Sequence, residues 1–333
     1  MKKSLILVRT DKIGDLILSL PVDELRPPDW DCCWIISEGM EWILQHSIPP
    51  RNYIPISKSK AWLSFWKLVK EFRKIKPTVS VHLQGPWWIA LACLFAGISF
   101  RTGRKSQWFS FLFLNQGIRQ SRRNSELHEA EYNQEILGRA LGWAHKPLPA
   151  LQLEVPRRLH LFEQLHLEKK KYVIVHPGMA GSALNWPEEF YIQLIEKLVL
   201  RTRVVITGSS MDKALTENIR INFAEHSQVL DLTGKLNPLD WMQVLAGAAG
   251  VVGPSTGVVH VAASLQTPVL GLYSPVRVQA SRRWGPRGLN VTCLSPQIDC
   301  PGIEACLGVN CDHYSCMKLI QPKAVYEKIR QWL

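Results

Sequence analysis

The chain of 333 residues carries 40 Lys and Arg against 28 Asp and Glu, a formal charge of +12, and 46% of its residues are hydrophobic. That length allows two domains with ordinary cores, and that apolar content excludes global disorder. The basic excess points to an anionic partner: a nucleic acid, a phosphorylated substrate or an acidic membrane surface. Met1-Lys2-Lys3 runs straight into a strand pattern, without the small-residue cleavage site of a secretory signal. The longest apolar stretch, residues 87–100, is interrupted by Gly97 and falls short of the ~20 residues that span a bilayer. The chain is therefore expected to be soluble and cytoplasmic.

Residues 5–8 read as a parallel strand buried on both faces. A polar turn follows, and then Ile13, Leu16, Ile17 and Leu20 recur at helical spacing. Asp15 thus falls in the first turn of a helix that starts at the carboxyl end of a strand. It can simply offset the helix dipole, with Thr10 or Asp11 as the cap, or it can project into a cleft as a general base. Strand-like runs at 32–36, 79–83 and 98–101 alternate with helical patterns, of which 61–75 and 126–141 are the clearest. This alternation predicts an α/β fold with a doubly wound parallel sheet. Asp29-Trp30-Asp31 precedes the second strand after two prolines and reads as a surface lead-in rather than a metal site. Basic residues including Arg101, Arg104, Lys105, Arg119, Arg122 and Arg123 alternate with Trp108, Phe109, Phe111 and Phe113. Such a segment can grip nucleic acid, sit at a lipid headgroup, or be a solvated loop with its rings turned inward. Residues 144–156 contain Pro147, Pro149 and Pro156 without periodicity and read as an interdomain linker.

The pattern then restarts. Strands are predicted at 172–176, 204–207, 229–232, 250–252 and 269–272, with helices near 188–200, 211–224, 238–248 and 258–265. A short amphipathic helix closes the chain at 322–333. Asn185-Trp186-Pro187-Glu188 has the spacing of a capping box with Pro in the first turn. Ser255-Thr256-Gly257 joins a buried strand to a small-residue helix. There its hydroxyls, backbone N–H groups and helix dipole either cap the helix or receive a phosphate. Two such α/β units would place ligands at the carboxyl ends of their strands. Cys300, Cys306, Cys311 and Cys316 cluster around His313, close enough for zinc or an iron–sulfur group but without the usual C-x₂-C spacing. Reduced structural thiols and redox pairing are the other readings. Cys32, Cys33 and Cys93 lie in apolar runs and read as core.

Taken together, several segments resemble glycosyltransferase family 9, the heptosyltransferases of lipopolysaccharide core assembly. They are Arg9-Thr10-Asp11-Lys12-Ile13-Gly14-Asp15, Leu83-Gln84-Gly85, His128 ahead of a helix, His176-Pro177-Gly178 with Gly181-Ser182-Ala183-Leu184-Asn185-Trp186-Pro187, Thr207-Gly208-Ser209, and Ser255-Thr256-Gly257 with His260-Val261-Ala262-Ala263. The resemblance implies a GT-B fold of two facing Rossmann-like domains with parallel sheets. Residues 1–150 would bind the acceptor and supply the base, residues 151–333 would bind the nucleotide sugar, and the last helix, about 322–333, would pack back on the first domain.

It further implies inverting, metal-independent transfer of heptose from ADP-heptose to a phosphorylated, lipid-linked lipid A/inner-core acceptor. The enzyme would work at the cytoplasmic face of the inner membrane, in peripheral contact with its anionic surface, without a required cofactor and without nucleic acid. By position, Asp15 would be the general base. Gly181, Ser182, Asn185, Gly208, Asp212, Ser255, Thr256, Gly257 and His260 would serve the donor, and Arg101, Arg104, Lys105 and His128 the acceptor. The chain departs from the family pattern at Leu184, where members often carry Lys, and at Ser255, where they often carry Asp. Those departures leave transfer of another nucleotide sugar to a surface glycan as the alternative. A basic nucleic-acid-binding protein with a cysteine-bound metal would explain the charge but not the paired strand–turn–helix motifs.

Overall fold

The computed structural model describes residues 3–143, 146–179 and 183–333. The chain divides into two compact units: Met1–Arg122 with Leu127–Leu151, and Arg123–Glu126 with Gln152–Leu333.

The first unit runs β1 Ser4–Arg9, α1 Ile13–Ser19, β2 Asp31–Ser37, α2 Glu41–Gln45, β3 Asn52–Ile56, α3 Ala61–Ile75, β4 Val79–Gln84, α4 Trp87–Phe95, β5 Phe100–Gly103, α5 Trp108–Phe113 and α6 Glu129–Leu141. Its five strands are all parallel, in the order β3-β2-β1-β4-β5. β1 is central and wholly buried, as its unbroken apolar run requires of a strand covered on both faces. One face packs Ile6, Val8 and Ile35 against Phe65, Leu68 and Phe72 of α3 and Ile89 and Ala92 of α4. α3 spans the predicted 61–75 and ends at Lys76 in the left-handed region, with Arg73 and Lys74 in its last turn.

The second unit runs α7 Leu161–Gln164, β6 Tyr172–Val175, α8 Glu188–Leu198, β7 Arg203–Ile206, α9 Lys213–Asn222, β8 Val229–Asp231, α10 Pro238–Gly247, β9 Gly250–Pro254, α11 Gly257–Ser264, β10 Val269–Leu272, α12 Ser281–Trp284, β11 Val291–Leu294 and α13 Pro322–Ile329. Its six parallel strands follow the order β11-β10-β9-β6-β7-β8. The core joins Val173, Val175, Val204 and Ile206 to Tyr191, Leu194 and Leu198 of α8. α13, which the resemblance directs to the first domain, buries Val325 and Ile329 in this same core and packs on α8. Beside it the Trp186 indole donates to the Ile320 carbonyl at 2.7 Å.

Local expectations fail at two helix starts. α8 begins at Glu188 after Pro187, and Asn185 does not cap it. Its amide instead donates to the Pro177 carbonyl at 2.8 Å, while its Oδ1 accepts from Trp186 N and the Tyr191 hydroxyl. α1 has Lys12 at its N-cap with no side-chain cap, because Asp11 is taken by Arg9. No helix among the described residues is long and apolar enough to cross a membrane.

Candidate active site

Both sheets reverse their direction of growth at one place. In the first unit the chain lays down β2 and β3 on one side of β1 and then crosses to β4 and β5, so the switch lies between β1 and β4. In the second it lies between β6 and β9. Crevices at the carboxyl ends of such strand pairs are where open α/β sheets bind ligands.

At the first switch point, Arg9 ends β1 almost fully buried and fans out to three carboxylates. Its Nε reaches Asp11 at 2.7 Å, Nη2 reaches Asp15 at 2.6 Å, and Nη1 reaches Glu129, 120 residues away at the start of α6, at 2.9 Å. Glu129 is also gripped by Arg122 at 2.6 Å. Three carboxylates thus gather around the guanidinium groups of Arg9 and Arg122. Burial, reinforced by Asp15 and opposed by Arg9, pushes the Asp11 carboxyl up to about 7. Asp15, 17% exposed, is held through Oδ1 in the first turn of α1, and the Ser19 hydroxyl donates to its carbonyl. Opposite, β4 is followed by Gly85, where a Cβ would stand 3.1 Å from both Thr10 Oγ1 and Val8 Cγ1. His82 Nε2 pairs with the Gly85 carbonyl at 3.0 Å, and burial lowers its pKa to about 4.

At the second switch point, His176 follows β6 and its Nδ1 meets Thr207 Oγ1 at 2.9 Å. Burial, partly offset by Asp212, lowers its pKa to about 4. Gly178 is needed because a Cβ there would lie 2.3 Å from the Asp212 side chain. Asp212 in turn accepts from Ser209 N at 2.8 Å and Ser209 Oγ at 2.6 Å, so its carboxylate shapes the turn after β7. Across the switch, Ser255, Thr256 and Gly257 open α11. Thr256 sits at the N-cap, yet its hydroxyl makes no capping bond, and its Oγ1 is buried without a hydrogen-bond partner among the described residues. The bland reading of this threonine as a cap is therefore not what the structure displays. A helix start leaves its first backbone N–H groups without intrahelical acceptors, so this hydroxyl stands with donors suited to an anion. His260 is buried one turn further along α11.

The structure thus brings His176, Gly178, Gly208, Asp212, Ser255, Thr256 and Gly257 to one edge of the second sheet. Gly181 and Ser182 lie outside the described residues. A further turn, Thr233-Gly234-Lys235, follows β8 at the same edge, with Gly234 N donating to the Gly208 carbonyl at 2.9 Å. Sequence reasoning passed over it, although a Gly between a short strand and the Asn237-capped α10 was a readable sign. The candidate acceptor residues each have a described contact in the first unit. Arg101 donates to the carbonyls of Phe113 and Ile98, Lys105 Nζ stands 6.0 Å from the Phe111 ring, the Arg104 backbone forms a β-bridge with that of Ile118, and His128 caps α6.

Cys300, Cys306, Cys311 and Cys316 line one cavity of about 190 Å³ together with His313 and Leu184. All four thiols are free, and burial, then its three neighbours, raise that of Cys316. Among the described residues no three potential ligands stand close enough to hold a metal ion.

Comparison with known proteins agrees with this architecture. A protein of Haemophilus influenzae, provisionally named a glycosyltransferase, is 30% identical over 210 residues, 57% of this chain and 58% of its own length. The lipopolysaccharide core heptosyltransferase OpsX of the same organism is 24% identical over 288 residues, covering 82% of this chain and 79% of its own. The structure of the Escherichia coli ADP-heptose lipopolysaccharide heptosyltransferase II superposes with a TM-score of 0.79 at 21% identity, covering 99% of this chain and 98% of that one, which establishes the GT-B class of fold. The sequence profile described as glycosyltransferase family 9 (heptosyltransferase) matches residues 65–303, and on that span the chain belongs to glycosyltransferase family 9.

Proposed function

We propose that the chain is an inverting heptosyltransferase that moves heptose from ADP-heptose to a lipid A/inner-core lipopolysaccharide acceptor, working peripherally at the cytoplasmic face of the inner membrane. The observation that carries this reading is the pair of switch points, one holding a fixed carboxylate and the other, at a helix start, a buried hydroxyl without a partner among the described residues. A sugar hydroxyl is a poor nucleophile. Asp15, oriented by Arg9, takes its proton as the oxygen attacks the anomeric carbon, a contribution of about 10²–10⁴-fold. The bond to the diphosphate breaks on the opposite face of that carbon, and the Thr256 hydroxyl and the N–H groups opening α11 receive the charge that develops. ADP-heptose stands in the name of the E. coli structure, and lipopolysaccharide core in the name of OpsX. Both come to this chain by family. A different nucleotide sugar remains the second reading because of Leu184 and Ser255, two departures that border the donor turns.

Calorimetry of ADP-heptose against ADP, GDP and UDP compounds tests the donor. Selective binding of the ADP-sugar, with turnover on a lipid A/inner-core acceptor that Asp15→Ala lowers about 10²–10⁴-fold, is the expected result. Preference for another nucleotide moves the chain out of heptose transfer while keeping the family.

A further inference from the structure

The charge of the chain is concentrated. Residues 57–119 hold eleven Lys and Arg against Glu71 alone, which accounts for +10 of the total +12. The same stretch builds α3, α4 and α5, and these helices leave large apolar side chains in solvent. Trp62 is 69% exposed, Trp108 60% and Phe111 53%, with Trp66, Trp87 and Phe95 also exposed. None of these six is needed by the core, which takes Phe65, Leu68, Val69 and Phe72 from α3.

The exposed groups form one surface. Trp62 meets Trp66 at 5.5 Å between ring centroids, Trp66 meets Phe65 at 5.1 Å, and Phe65 meets Phe95 of α4 at 5.7 Å. At the other end of α4, Trp87 meets Trp108 of α5 at 5.8 Å. Between them Trp87, Leu91, Leu94 and Phe95 have the spacing of one helix face. Exposed aliphatic groups flank the rings, Leu63 on α3 and Leu112 on α5. Cations sit among them: Arg73 donates to the Phe95 carbonyl at 3.2 Å, and Lys67 and Lys70 are exposed on α3.

Soluble proteins rarely leave a contiguous apolar patch of this kind uncovered. Its chemistry selects the occupant. Exposed Trp, Phe and Leu interspersed with Lys and Arg are the composition of a face that lies in a membrane interface. An anionic headgroup layer also answers a charge of one sign. A nucleic acid would use the cations and the rings but has no place for Leu63 and Leu112.

We propose that the α3–α4–α5 face docks on an anionic lipid bilayer, with the aromatic and Leu side chains entering the headgroup boundary. This deepens, and rests on, the reading of peripheral membrane contact, but it is independent of which sugar is moved.

Co-sedimentation of the full chain with phosphatidylglycerol vesicles and with phosphatidylcholine vesicles tests it, alongside the triple variant Trp62→Ser, Leu63→Ser, Leu112→Ser. These positions are highly exposed, and an unchanged melting temperature serves as the check on folding. At least tenfold preference for the anionic vesicles is expected, lost at least tenfold in the triple variant and weakened by salt and by Lys67→Gln with Lys70→Gln. Anionic-vesicle binding that survives the triple variant overturns the assignment of this face while leaving membrane contact standing. No binding to either vesicle overturns both, and nucleotide-sugar calorimetry then judges the transferase reading separately. Sedimentation velocity supplies the remaining outcome: self-association through this face without vesicle binding makes a second copy the occupant and sinks the proposal.

Discussion

The two switch points occupy equivalent places in two similar sheets, yet they use charge differently. The first is built from charge: Arg9 with Asp11, Asp15 and Glu129, locked by Arg122. The second is built from close backbone approach and hydroxyls, Gly178, Gly208, Thr207 and Thr256, and its one carboxylate, Asp212, is taken up by the N–H and hydroxyl of Ser209. Under the proposed function the first would use a carboxylate fixed in place to take a proton, and the second would use hydroxyls and free N–H groups to seat a diphosphate. One element is common to both, a buried neutral imidazole at a strand end, His82 in the first and His176 in the second.

The sharpest way to break this contrast is Asp15→Asn. Turnover should fall about 10²–10⁴-fold while calorimetric donor affinity stays unchanged, and a loss of donor binding instead would remove the division of labour. The shared imidazoles come next. Each is held neutral with its pKa moved from 6.5 to about 4, so protons favour the unfolded chain. Stability is complete above pH ~6.5 and drains away as pH falls toward 4, by about 3 kcal/mol for each ring. Melting temperatures recorded from pH 7.5 to 4.5 should drop accordingly, and less steeply in His176→Asn.

Thr256→Val is a finer probe of the second switch point. Because the hydroxyl has no partner among the described residues, its removal should leave the melting temperature intact and weaken nucleotide-sugar binding about tenfold or more. A drop in stability with unchanged affinity would return Thr256 to a structural role. The smallest effect concerns Asp11. As pH rises through about 7 it loses its proton, a second negative charge appears beside Asp15, and the pull of the pair on a hydroxyl proton strengthens. The wild-type kcat should therefore rise across this range, and Asp11→Asn should flatten the rise.

Most strands were legible because parallel strands buried on both faces are continuous apolar runs, as at β1, β6 and β10. β3 escaped because it is an edge strand that starts with Asn52 and contains Pro55, and β11 because it is a four-residue edge strand only partly buried. α4 was visible only as an apolar run, since a helix that is hydrophobic nearly all round shows no 3.6-residue period. In the sites, local turns were readable and distant partners were not. Asp15 and Thr256 announced themselves by position after a strand. The grip of Glu129 on Arg9 spans 120 residues, and no spacing rule could have found it.

The placement of α13 has a consequence for how the chain is made. The first unit holds everything its core needs once synthesis has passed Leu151, so it can fold while the rest is still being translated. The second unit cannot close its core until Val325 and Ile329 have emerged, and until then the apolar side of α8 lacks its cover. A chain cut short before Pro322 would carry a finished first half and a sticky second one. Its fate would be decided by chaperones and proteases before any question of catalysis arose.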